Sequence, residues 1–239
     1  MKKIILLLVA SKLLCAINLI PMTETIDSKK KKNIVFSVTN PTNEPVAVDF
    51  SVLKVLNTQN NQEQRVETND VQAYPTQFVL SPKETKSVRV RYMGSKLPEK
   101  EEVYRVIAQE LDIDVSDKKA DNNNGKIKAQ IKMRFSYEGL IFVHKKDAQA
   151  VLNIDNIQKS AQGLELSISN RGTSSALPNI ANYNYFAQSQ GQEYKLTEND
   201  LKGAEFRRVL AGANNHFTLA HIQTLSPQKI ENIRLEKKQ

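Results

Sequence analysis

Few side chains in this 239-residue sequence could do covalent or metal chemistry, and their spacing does not assemble a reaction centre. The histidines are His144, His216 and His221, and the single cysteine is Cys15. His216 and His221 are close enough in sequence to share a metal, yet a loop or strand-end pair of this kind more often serves structure. Glu101 and Glu102 are adjacent carboxylates that could act as acid and base if buried. The run "LPEKEEVY" around them is strongly polar, which predicts exposure. Asp112, Asp114, Asp117 and Asp121 suggest calcium, but no choice of first Asp places glycine at position 6 and glutamate at position 12 of an EF-hand loop. Gly-x-Ser-x-Gly, His-Glu-x-x-His and P-loop motifs are missing, and the eight glycines do not cluster as a phosphate cradle would require. The expectation is a protein that is not an enzyme, with no metal and no cofactor.

What the sequence does pattern is charge along strands. In "FVLSPKETKSVRVRYMGSKLPEKEEVYRVIAQEL", Phe78 to Leu111, Val88, Val90 and Tyr92 alternate with Arg89 and Arg91, as in a strand that buries one face and shows a basic one. "NIVFSVTN" puts Ile34, Phe36 and Val38 on one face, and "NPTNEP" after it is dense turn chemistry. "VAVDFSVLKVL" alternates through Val46, Val48, Phe50 and Val52, and the polar "NTQNNQEQ" after it reads as a loop. "VYRVIAQEL" reads as a strand because Val103, Tyr104, Val106 and Ile107 are β-branched or aromatic. "DIDVSDKKADNNNGK" reads as a flexible hairpin tip. Beyond it Ile127, Ala129, Ile131, Met133 and Phe135 alternate with Lys126, Lys128, Gln130, Lys132 and Arg134. Lys126 to Phe142 would make a strand far longer than the usual ~5–6 residues, so it should outrun the body of its own domain.

The N-terminal "MKKIILLLVASKLLCAINL" has the basic start and short apolar run of a secretory signal, with cleavage expected after Ala16 or after Ser11. Removing residues 1–16 takes out Lys2, Lys3, Lys12 and Cys15, lowers the formal net charge from +8 to +5, and leaves no cysteine for a disulfide. "HKKDAQ" at 144–149 is the expected hinge, between a first domain at 17–143 and a second at 144–239. The second half repeats the strand pattern more weakly, and its "SISN" before a polar turn echoes "SVTN" before its own. The fold class expected is all-β, with two immunoglobulin-like sandwiches joined at an angle by that short hinge.

"VFSVTNPTNEPVAVDFSVLKV", "FVLSPKETKSVRVRYMG" and "LPEKEEVYRVIAQEL", in this order and spacing, resemble the first domain of the PapD-like periplasmic chaperones of the chaperone–usher pilus pathway. The resemblance covers roughly residues 17–143. It implies two immunoglobulin-like domains with a cleft between them, and a chaperone that lends a strand to incomplete pilus subunits and hands them to an outer-membrane usher. It implies that Ile127, Ala129, Ile131, Met133 and Phe135 form the subunit-binding strand, and that Glu101 joins Arg89 or Arg91 in an interdomain ion pair. The family also grips the subunit's terminal carboxylate with two cations. Here the matching positions are Thr23 and Gly139, which leaves Lys132 and Arg134 as the anchor candidates.

Two other readings compete. A secreted structural module, pilin-like or adhesin-like, would share the β pattern. A polysaccharide- or nucleic-acid-binding protein would need aromatic residues interleaved with cations, and "YNYF" at 183–186 has none beside it. No small-molecule substrate is indicated.

Overall fold

The computed structural model of the protein describes residues 17–28, 31–59, 62–112 and 134–238. The expected signal, the acidic and Asn-rich tip, and Ile127 to Met133 of the expected donor strand lie outside these residues. The described chain is built from strands, without an α-helix. The first half runs β1 (Asn18–Ile20), β2 (Thr23–Ile26), β3 (Asn33–Thr39), β4 (Val46–Gln59), β5 (Gln62–Glu67), β6 (Val71–Tyr74), β7 (Gln77–Leu80), β8 (Thr85–Tyr92), β9 (Glu102–Glu110) and β10 (Ser136–Val143). The second half runs β11 (Leu152–Ser160), β12 (Gly163–Asn170), β13 (Tyr183–Ser189), β14 (Gln192–Lys195), β15 (Asn214–Leu219) and β16 (Asn232–Lys237).

The first domain is a sandwich of a four-stranded sheet, β1-β3-β8-β6, on a six-stranded one ordered β2-β10-β9-β4-β5 with β7 also paired to β4. The two-residue period of β3, β8 and β4 turns Phe36, Val38, Val88, Val90, Val48 and Phe50 into one core, all at most 1% exposed. Phe36 and Phe50 meet across the two sheets with ring centroids 6.1 Å apart. "INLIPMTETID" is divided at Pro21: β1 pairs antiparallel with β3, and β2 pairs parallel with β10, Thr23 facing Leu140 and Ile26 facing Val143.

The polar "NTQNNQEQ" is not a loop. β4 continues to Gln59 and β5 returns from Gln62, with a bulge between Val55 and Asn57. Hydrophobic alternation could not reveal this arm, because main-chain pairing and ion pairs on its flank hold it instead.

In the second domain β11-β12-β15 face β14-β13-β16. Phe206 fills the space between them, 5.6 Å from the Tyr185 ring and 5.4 Å from the Phe217 ring. The "SVTN" and "SISN" echo marks a real correspondence. Asn40 and Asn170, 0% and 1% exposed, end β3 and β12. Each amide nitrogen donates to the carbonyl four residues on, of Glu44 or Ser174, at 2.8 Å. Each amide oxygen accepts the main-chain N–H two residues on, of Thr42 at 2.9 Å or Gly172 at 3.0 Å. One asparagine thus satisfies a turn's otherwise orphaned main-chain groups in both domains.

Candidate functional site

The outer face of the six-stranded sheet looks toward the second domain. On β10 the odd positions Ile141 and Val143 enter the core, so Glu138, Leu140 and Phe142 take the other face. There Val55, Val103 and Phe142 are buried although they lie outside the sandwich, because Leu140 of β10 and Leu210 of the second domain close over them. Beyond this floor lies a cleft of about 680 Å³, lined from the first domain by Arg65, Arg105 and Leu140 and from the second by Leu177, Phe206 and Arg208.

The two domains are bonded through Glu101. Its side chain is 4% exposed, and Oε1 accepts the main-chain N–H of Ser175 at 3.0 Å and the Ser175 hydroxyl. Ser175 Oγ in turn accepts from Arg208 Nη1 at 3.2 Å. His144 Nε2 stands 3.8 Å from Glu101 Oε2, and the Glu101 N–H donates to Thr173 O at 2.8 Å. The Arg208 guanidinium lies 4.7 Å over the Phe142 ring. Burial pushes its pKa down, and the charge of Glu101 opposes that shift. Gly172 lets the linker approach: a Cβ there would lie 2.2 Å from Gln149 O and 2.6 Å from Val151 N.

Glu101 therefore stands at the interdomain contact, and its neighbours come from the linker and the second domain. Arg89 and Arg91, the expected cations, do not. Both are exposed on the outer face of β8, Arg89 between Val35 and Tyr74, and among the described residues neither bonds to Glu101. Strand period decides this, since Val88, Val90 and Tyr92 already occupy the core face. Ser175 and Arg208 lie in segments without strand periodicity, and nothing in their local sequence marks them. The "LPEKEEVY" polarity likewise misleads at Glu101, because the second domain supplies its burial.

β9 pairs with β10 along Ser136 to Val143, and β2 pairs with Leu140 to Val143 on its other side. Phe135, partly buried, still accepts a main-chain bond from Glu110 at 3.1 Å. Arg134 is exposed just before β10. Gly139 packs where a side chain would meet Val106 at 2.8 Å and Met22 O at 3.1 Å.

Residues 20–138 match the family described as pili and flagellar-assembly chaperone, PapD N-terminal domain. The chain belongs to this chaperone family. No curated protein sequence matches it. Among solved structures, it is similar to a chain of the CsuC–CsuE chaperone–tip adhesion subunit pre-assembly complex from archaic chaperone-usher Csu pili of Acinetobacter baumannii. There the TM-score is 0.61 at 16% identity, covering 92% of this chain and 97% of that one. The class 5 fimbriae chaperone CfaA gives a TM-score of 0.55 at 16% identity, over 93% and 92% of the two chains. The Salmonella enterica SafA pilin complex with the SafB chaperone gives 0.54 at 14% identity, over 88% and 86%. At these identities the likeness is one of fold: two β-sandwich domains, as in the PapD-like family. That family is one of chaperones and not of enzymes.

Proposed function

We propose that the protein is a periplasmic, non-enzymatic chaperone of pilus or fimbrial subunits, exported by a cleaved signal within residues 1–16. It caps an incomplete subunit by adding a strand to it and passes the subunit to an outer-membrane usher. The observation that carries this reading is the cleft between the two sandwiches, floored by β10, in a chain of the pilus chaperone family. The alternating residues before β10, Ile127, Ala129, Ile131, Met133 and Phe135, are the side chains that would fill the subunit's apolar groove.

The double variant Ile131→Ser with Met133→Ser tests this against burial in the protein's own core. Each apolar side chain buried in a subunit contributes about 1.5–3 kcal/mol before ordering costs. A lending strand predicts an unchanged melting temperature and lost co-purification with the subunit; a core strand predicts a collapsed melting temperature. A folded variant that captures subunit normally would sink the reading.

Lys132 and Arg134 serve in this scheme as the cations for the subunit's terminal carboxylate, since a charge-assisted contact fixes register where apolar contacts alone allow slippage. Replacing both by alanine is expected to abolish capture with the fold intact. Unchanged capture would shift that role to the cleft arginines.

A further inference from the structure

A second cavity, of about 500 Å³, lies between the second domain and the segment that joins β10 to β11. Gln149, Ser175, Tyr183, Arg208, Lys237 and Lys238 are among the residues that line it, and no aspartate or glutamate does so among the described residues.

The fold gathers these groups from separate places. Tyr183 opens β13 and faces Lys237 of β16 across the ladder, and the Lys238 N–H donates to Asn182 O at 2.9 Å. Gln149 O accepts the N–H of Thr173 at 2.7 Å and that of Ser174 at 3.2 Å, which lays the joining segment against the turn after β12. Ala176 bridges to Val209, so Ser175 and Arg208 stand side by side, and Arg208 Nη1 donates to Ser175 Oγ at 3.2 Å.

What sets this cavity apart is donors without acceptors. Tyr183 is 5% exposed, yet its hydroxyl has no bonding partner among the described residues. Burial pushes its pKa up, so it stays a donor at neutral pH. Lys237 and Lys238 make no ion pair among the described residues, and Arg208 is linked to Glu101 only through Ser175. A buried hydroxyl without a bond is costly, and three cations around one cavity repel one another unless an anion stands among them.

We infer that this cavity binds a small oxyanion, a phosphate or a carboxylate group, held by the Tyr183 hydroxyl, Arg208, Lys237 and Lys238. The guanidinium has N–H donors beyond the one given to Ser175, in a planar fork that matches two oxygens of such a group. The phenol adds one bond and the lysines add charge. An oxyanion in this position connects β13 and β16 with Arg208, which also lines the interdomain cleft. Strand addition to a subunit is not required for it.

The test is calorimetric titration and thermal melting of the full chain in sodium phosphate, against sodium chloride of equal ionic strength at neutral pH. Saturable heat and a melting temperature that climbs with phosphate are expected, as for any ligand that binds only the folded state. Tyr183→Phe removes an oxygen that bonds to no described residue, so its melting in chloride should match wild type while its phosphate affinity falls about tenfold. Lys237→Gln with Lys238→Gln should also keep wild-type melting in chloride and weaken phosphate binding about tenfold.

Sodium acetate separates the two sources of such a group. A response to phosphate alone marks a free phosphate ion as the ligand, and a response to both salts marks any oxyanion group, an acidic side chain included; either result supports the site. A response no greater than that to chloride overturns it. Phosphate affinity unchanged in both variants also overturns it, since the anion would then sit elsewhere on the protein.

Discussion

Replacing Glu101 with alanine is expected to lower the thermal unfolding midpoint clearly and to free the angle between the two domains. The carboxylate is 4% exposed and is the acceptor on which the Ser175 N–H and hydroxyl converge. Without it, Ser175 loses two bonds, Arg208 loses the nearby anion that opposes its burial, and His144 loses its facing charge. Truncating one member of a buried charged network costs roughly 3–5 kcal/mol, because the partners stay buried without compensation. Calorimetry measures the loss, and small-angle scattering measures the spread of domain angles. Glu101→Gln should fall between wild type and alanine, since an amide oxygen can still accept from Ser175 but carries no charge for Arg208. A Glu101→Ala protein with wild-type melting and scattering would show that the small apolar cluster of Val55, Val103, Phe142 and Leu210 fixes the angle unaided.

A loss of similar size is expected at Asp200→Asn, confined to the second domain. Asp200 is fully buried, and its carboxylate accepts five bonds: Thr197 N at 2.7 Å and Oγ1 at 2.6 Å, Gln223 N at 2.7 Å, and Thr224 N at 2.7 Å and Oγ1 at 2.6 Å. It staples the loop after β14 to the segment after β15. Burial raises the carboxyl pKa, and the bonds from Thr197 and Thr224 more than reverse that, leaving it well below the usual carboxylate range. Asparagine offers one oxygen and turns an N–H₂ toward donors, so about 3–5 kcal/mol should be lost. The pH dependence follows in sign. A folded pKa below the unfolded value of ~3.9 gives stability that is fully present above about pH 4 and is lost as pH falls through the folded value. Denaturant titrations at neutral pH and near pH 3 should therefore show the gap between wild type and Asp200→Asn narrowing in acid. A gap independent of pH would mean that the ionised carboxylate is not what holds the loops.

Much of the fold was legible where burial and period coincide. β3, β8 and the first part of β4 each alternate with one face in the core, so apolar spacing finds them, and β-branched content was enough for β9. The equivalence of Asn40 and Asn170 was visible as a four-residue echo, though its meaning, an amide bonding the same set of turn groups twice, was not. The β4–β5 arm was illegible because Glu63 and Arg65 are stabilised by partners on β9 and β10 and not by burial of an apolar face. The interdomain contact was half legible. The family resemblance pointed to Glu101, but its partners Ser175 and Arg208 are brought to it only by the docking of one domain on the other.

The parallel pairing of β2 with β10 carries a consequence for how the chain comes to be folded. Thr23 to Ile26 and Leu140 to Val143 lie at opposite ends of the first domain's sequence, yet they are neighbours in one sheet. Hairpins such as β4–β5 and β11–β12 can close as soon as their own residues are present, whereas this ladder must close a loop spanning nearly the whole domain. Such non-local pairing is the slow kind, since the entropy of closure is spent before the contacts reward it. A chain delivered N-terminus first therefore keeps the β2 edge open until β10 has emerged. Until that moment the protein is itself an unfinished sandwich, exposed to mispairing in the same way as any other chain with an open sheet.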